Sequence, residues 1–420
     1  MHLYELPLVF VLIGLVFYVV LAGADFGAGF WQLFAGRGDA GVRVREHAHE
    51  SISPVWEANH VWLIFVLTVS WTAYPRAFGA IASTLSVPLF IAAIGIILRG
   101  AAYALRAGSS SARERRSIDT VFALSSILTP FALGTIVGGI ASRRVPVGNA
   151  AGHLFSSWLN PTSILVGVLA VASSAYLAAV FLAADAVRAD DADLQARFRA
   201  RALAAGLLTG ALSLAGLAVL HSDAHPLYQR LLHSDAVGAM VVSALAGLAT
   251  LELVRRARFE TARYTAAIAV TAIVAGWALA QNPILLRGLT VRQAAAPHDT
   301  LVLVVVAVLA GAVILFPSLA LLFRLVLAGR LGHAQTVRAP AAPLGALLSA
   351  SAPGLLARVA GACLLAGFGF LTLAEAGWAH AIGVLALLAF IVCGFLADVP
   401  SLLSEMGRED PGGEARRSVQ

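Results

Sequence analysis

The chain has 420 residues, of which 59% are hydrophobic and only 12% charged. A soluble domain of this size carries about twice that share of charge, so the composition excludes an ordinary soluble enzyme. All 29 basic residues are arginine. The net charge of +6 comes without a basic stripe interleaved with aromatics, so nucleic acid is not an expected partner.

Apolar runs of about 20 residues, each long enough to cross a bilayer as a helix, recur along the chain. They lie near 7–34, 54–74, 77–105, 118–141, 161–185, 202–221, 235–255, 262–282, 301–323, 357–376 and 380–398. The runs are continuously apolar and do not alternate, which excludes a β-barrel. The expected fold is an all-α, polytopic transmembrane helix bundle of about eleven spans. Ala22-Gly23-Ala24 looks like a signal-peptide cleavage site, but the first residues lack a positive n-region, so the first run reads as a retained span. Segments 36–53 and 186–201 read as short amphipathic or polar excursions. The organisation is a nine-span core over 1–323, an Ala/Pro-rich cytoplasmic linker over 324–356, two additional spans within 357–403 and a disordered tail over 404–420.

The arginines orient the bundle. If the N-terminus lies outside and the C-terminus inside, only Arg76, Arg143, Arg144, Arg230, Arg287 and Arg292 fall in external loops. Apart from Arg99, which lies within a span, every other arginine falls on the cytoplasmic side, as the positive-inside rule requires.

Ionisable residues within membrane spans are costly and point to function. Asp25 sits in the inner half of the first span. Glu57 and His60 lie three apart on one face at the inner end of the second, between Trp56 and Trp62, and Arg99 lies toward the inner end of the third. Consecutive helices with short connections are usually neighbours, and buried charges tend to pair, so Arg99 has either acid as a candidate partner. One reading is a proton-conducting or cofactor-supporting cluster reached from the cytoplasm. The other is a set of helix-end residues snorkelling to the interface. Gly23, Gly27 and Gly29 flank Asp25 with small-residue spacing that lets a neighbouring helix approach closely.

Other polar residues carry less. Glu252 and Asp398 read as helix ends, and Glu375 as interfacial. His221, Asp223, His225, His233 and Asp235 cluster in one external loop without the spacing of a standard metal site. Cys363 and Cys393 fall in separate apolar runs, and no CxxC or CxxCH occurs, so neither covalent haem nor thiolate metal sites are indicated. No Walker A, Rossmann or hydrolase motif is present.

Ala24-Asp25-Phe26-Gly27-Ala28-Gly29, then Ser53-Pro54-Val55-Trp56-Glu57-Ala58-Asn59-His60-Val61-Trp62, then Tyr74-Pro75 and Leu98-Arg99-Gly100 resemble subunit II of the cytochrome bd quinol oxidases. The motifs cover the first 105 residues or so; beyond them the likeness is one of hydropathy. Three positions depart from the family pattern: Glu57 stands where aspartate is usual, Ala58 for glycine, and His60 for glutamate or glutamine. The resemblance implies a subunit of a quinol:oxygen oxidoreductase in the bacterial cytoplasmic membrane. Two haem b and one haem d are then expected in a partner, subunit I, with none bound directly by this chain and no catalytic or metal-ligating residue of its own. It also leaves room for a structural quinone and a small single-span accessory subunit. On this reading Glu57 is the acid of a cytoplasmic proton route, supported by Trp56, Asn59, Asp25 and Arg99, and His60 belongs to the same site. A proton-coupled secondary transporter would also use membrane carboxylates, but transporters often show two related halves, and the Trp-Glu-Ala-Asn-His-Val-Trp segment has no second copy. A purely structural assembly subunit is the third reading.

Overall fold

A computed structural model describes residues 2–36, 38–52, 56–108, 111–327 and 355–373, with 378–379, 382–390 and 392–393. The linker and tail expected over 324–356 and 404–420 lie almost wholly outside the described residues, as do Glu375 and Asp398. The chain divides into two units, Met1–Ser318 and Leu319–Gln420.

The first unit is built of helices. They are α1 (Leu3–Leu33), α2 (Gly38–Ile52), α3 (Trp56–Ala73), α4 (Pro75–Thr84), α5 (Ser86–Gly108), α6 (Ala112–Ala141), α7 (Pro161–Arg188), α8 (Ala192–Asp223), α9 (His225–His233), α10 (Ala236–Arg255) and α11 (Phe259–Gln281). A hairpin of β1 (Ile284–Leu286) and β2 (Leu289–Thr290) and a short α12 (Val291–Ala294) follow. Helix α13 (His298–Leu327) carries the chain into the second unit, where α14 spans Leu355–Leu373. Among the described residues eight helices are long and apolar enough to cross a membrane, with two shorter apolar helices at Asn59–Ala73 and Arg358–Gly367.

Two sequence expectations change. The run 77–105, expected as one span, is broken at Leu85 between α4 and α5. Pro88 lacks the N–H that would bond the Thr84 carbonyl, so a continuous helix loses a rung there, and the long apolar helix starts only at Ser86. The polar segment 186–201 is no excursion: α7 and α8 extend into it from both sides and meet in a tight turn at Asp190. Segment 36–53 does form an amphipathic helix, α2, which buries Val44 and Ala48 completely.

Helix α7 is the hub of the first unit, packing against α1, α6, α8 and α11. Small residues make the approach possible, since without a hydrophobic drive between helices in lipid, close backbone contact and dispersion dominate. A Cβ on Gly27 of α1 would lie 1.9 Å from the Ser174 carbonyl oxygen of α7. One on Gly134 of α6 would lie 2.7 Å from the Gly167 Cα. At the end of the bundle remote from α2, the hairpin and α12 cover the helix termini, burying Leu286, Leu289 and Val291 with Tyr74, Leu85 and Val145.

At the opposite end α2 packs against α1 and α7. His47 is bonded through Nε2 to the Leu182 carbonyl at 3.0 Å, and the His49 ring stands 5.2 Å from that of Tyr103. Burial first, and Arg106 second, push the His49 pKa down to about 4, against roughly 6.5 in an unfolded chain. The docked helix thus holds His49 neutral, and the undocked helix binds the proton more tightly. His49 therefore imposes no penalty on docking above about pH 6.5, where it is neutral in both states, and opposes docking increasingly as pH falls from there toward 4.

Gly27→Val should lower the thermal stability of the detergent-solubilised protein by about 1–3 kcal/mol, whereas Gly311→Ala, whose added Cβ meets nothing within 4 Å, should not; equal melting of the two would contradict the close contact. Amide exchange of Gly38–Ile52, corrected for its intrinsic rate, should accelerate between pH 6.5 and 4.5, and His49→Gln should flatten that dependence.

Candidate functional site

The first span is not a uniform α-helix. Tyr18–Ala22 forms a π-helical turn, a deformation often found at functional sites, and the α-helix resumes at Gly23 with Asp25 in its first turn. Asp25 lies about 12 Å along the axis from the helix end at Leu33, at roughly 1.5 Å per residue. It is 7% exposed, and Arg99, facing it from α5, is 1% exposed. Neither residue snorkels: both are enclosed within the bundle.

Arg99 is held from several sides. Nη2 stands 3.7 Å from Asp25 Oδ1 and donates to the Asp25 backbone carbonyl at 3.1 Å. Nη1 donates to Ser126 Oγ of α6 at 2.8 Å, and Ser126 in turn donates to the Phe122 carbonyl at 2.6 Å. The guanidinium carbon lies 4.9 Å from the Phe26 ring centroid and 4.6 Å from that of Phe122, so aromatic faces replace part of its lost hydration. Gly29 lets this happen: a Cβ there would lie 2.2 Å from Ser126 Oγ.

Asp25 bridges to α3 as well. Asn59 Nδ2 donates to Asp25 Oδ2 at 3.0 Å, and Asn59 is 3% exposed. His60 packs edge-on against Tyr18 and Phe26, with ring centroids 6.3 and 6.5 Å apart. Tyr18 Oη, Asn59 Oδ1 and Arg99 Nε find no hydrogen-bond partner among the described residues. Buried polar groups in this state are ordinarily satisfied by water.

The sequence candidates are therefore gathered in large part. Asp25, Asn59, His60 and Arg99 converge from α1, α3 and α5, and Arg99 pairs with Asp25. Trp56 and Glu57 lie in the first turn of α3, with Glu57 about 3 Å nearer the α2 end than Asn59 by helical rise; their side chains lie outside the described residues. Ser126, Phe26, Phe122 and Tyr18 were missed. Ser125-Ser126 in an otherwise apolar run was the available signal for the first.

The external histidines do not converge as a site. His225 Nδ1 contacts the His221 carbonyl at 3.2 Å, His233 Nδ1 contacts that of Gln229 at 3.0 Å, and Asp223 is bonded to Arg144 and Thr162.

A many-helix membrane bundle with an arginine–aspartate pair sealed between its first helices defines a polytopic membrane protein with a charged site inside the bilayer region. The family model described as cytochrome bd terminal oxidase subunit II matches residues 3–326, and the chain belongs to that family. Cytochrome bd ubiquinol oxidase subunit 2 of Bacillus subtilis is 29% identical over 164 residues, 38% of this chain and 47% of the relative. Cytochrome bd-I ubiquinol oxidase subunit 2 of Escherichia coli is 28% identical over 215 residues, 49% of this chain and 54% of the relative. The chain thus spans about half the length of these curated relatives. In a solved structure of bd oxidase from Geobacillus thermodenitrificans, one chain superposes with a TM-score of 0.66 at 25% identity, covering 78% of this chain and 99% of that one.

Removing one member of a buried pair leaves an uncompensated charge. Arg99→Gln or Asp25→Asn alone should each destabilise the protein by about 3–5 kcal/mol. The double variant should recover part of that loss in a thermal-unfolding cycle. Additive losses would show that the two side chains do not interact.

Proposed function

We propose that this chain is subunit II of a cytochrome bd-type terminal oxidase in the bacterial cytoplasmic membrane, and that it carries protons from the cytoplasm toward an oxygen-reducing haem held by its partner. Family membership supports the complex. The single observation that supports the route is Asp25, enclosed and bonded to Asn59 on one side and faced by Arg99 on the other, with orphaned polar atoms around it.

The reaction of such a complex joins quinol oxidation to the reduction of oxygen to water, which consumes protons. The two haem b and one haem d belong to subunit I. Within this chain His47 Nε2 is bonded to the Leu182 carbonyl, and His60 packs edge-on against Tyr18 and Phe26. Quinol is the substrate of the complex, a structural quinone is compatible with it, and a small single-span subunit completes the set of proposed partners.

The residues divide the work. Glu57 receives protons at the α2 end of α3, with Trp56 beside it and His60 one turn further along. Asn59 orients the Asp25 carboxylate. Arg99 offsets its charge, so that a carboxylate removed from water can bind and release a proton. The proposed topology has eleven spans, with the N-terminus outside and the C-terminus inside, as the arginine distribution requires. It comprises a nine-span core over 1–323, the 324–356 linker, two further spans within 357–403 and the 404–420 tail. Neither a transporter nor a scaffold reading gains support from the comparisons.

Glu57→Gln in the purified complex should cut oxygen consumption by about tenfold or more while the haem spectrum stays intact. Unchanged turnover would remove Glu57 from the route, and loss of the haem spectrum would assign it to assembly instead.

A further inference from the structure

At the end of the bundle remote from α2, the termini of α6 and α8 border a cavity of about 240 Å³, lined by Ala141, Pro226, Leu227, Asp223, Arg143 and Arg287 among others. Ala141 and Asp223 are the last residues of two membrane-crossing helices, so the cavity sits at the depth where helices leave the apolar layer. Its polar residues are unevenly satisfied. Asp223 is fully engaged: Oδ1 accepts from Arg144 at 2.5 Å, and Oδ2 accepts from the Thr162 amide at 3.1 Å and its hydroxyl at 2.6 Å. Among the described residues the guanidiniums of Arg143, partly buried, and Arg287, exposed at the rim, are engaged by no protein group: neither has an ion pair, a side-chain hydrogen bond or an aromatic face.

The surroundings add positive charge. Burial first, and the nearby Arg230 second, push the Arg143 pKa down, and Arg230 itself donates to the Asn282 carbonyl at 2.9 Å. Four arginines therefore gather around one already paired carboxylate. Such a pocket stabilises a multivalent anion, because a guanidinium matches two oxygens of a phosphate at once. Ala141, Pro226 and Leu227 give it an apolar floor, which suits the glyceryl and acyl portion of a lipid better than bare water.

We propose that this cavity is an anion site that takes a phosphate group, with Arg143 and Arg287 as its two donors. Paired guanidiniums are a recurrent way to recognise a phosphate group. The site is separate from Asp25 and Arg99 and does not depend on the proton route.

Arg143 also provides a clean variant. It adopts the left-handed conformation, φ 58°, with the Arg144 amide bonded back to Gly139, the position after a helix that glycine favours. Asp190 and Ala257 adopt the same conformation elsewhere, so the geometry does not by itself mark a site. It does mean that Arg143→Gly removes the cation while relieving roughly 1 kcal/mol of backbone cost.

The test is native mass spectrometry of the delipidated complex, titrated separately with short-chain phosphatidylglycerol, with inorganic phosphate and with diacylglycerol. Phosphatidylglycerol or phosphate should bind the unaltered complex, diacylglycerol should not, and Arg143→Gly with Arg287→Gln should weaken binding by about tenfold or more without lowering the melting temperature. Arg143→Lys with Arg287→Lys should retain only part of it, since the charges remain while the two-oxygen fork is lost. Tight phosphatidylglycerol with weak phosphate identifies a lipid headgroup, and comparable binding of both identifies the free anion. Equal binding to the unaltered and doubly neutralised complexes, or no binding of either probe, would overturn the proposal.

Discussion

The first half of this bundle is organised around one buried guanidinium. Arg99 is enclosed almost completely, and no arginine is left so without partners on every side. Its partners come from two other helices: Asp25 and the Phe26 ring from α1, and Ser126 and the Phe122 ring from α6. Satisfying one side chain therefore fixes the relative position of three helices. Asn59 adds α3 through the same carboxylate.

The glycines around Asp25 follow from that constraint. Gly27 and Gly29 let α7 and α6 come close to α1, and Ser126 of α6 then holds the Arg99 guanidinium beside the carboxylate. The π-helical turn just before Gly23 shifts the facing of every residue after it, including Asp25. Charge, small residues and a deformed helix turn are thus parts of one arrangement. It is costly in lipid, which points to a use beyond packing.

Much of this was legible in the sequence because a membrane makes polarity conspicuous. Asp25, His60 and Arg99 stood out as polar residues in apolar runs, Asn59 came only with the family resemblance, and these four of the six named site residues do converge. The helical fold class followed from uninterrupted apolar runs. What stayed hidden was local geometry. Pro88 broke a run that hydropathy read as continuous, since a proline leaves the apolar average untouched. The π-turn has no compositional mark. Ser126 was overlooked because a serine in a membrane helix usually bonds its own backbone, as it does here with Phe122, and only the fold shows that it also receives Arg99. Pairing of Arg99 with Asp25 could not be chosen over Glu57 from depth alone, because both acids lie at similar heights.

On the proposed function, protons bound for oxygen pass through the Asp25 cluster. Proton uptake by the purified complex, followed with a pH dye after photolysis of its carbon monoxide adduct in the presence of oxygen, tests it most directly. In Asp25→Asn complex with normal haem content, uptake should slow by about tenfold or more while electron transfer among the haems begins at the usual rate. Uptake at the unaltered rate would contradict the account and leave the Arg99 cluster a purely structural one.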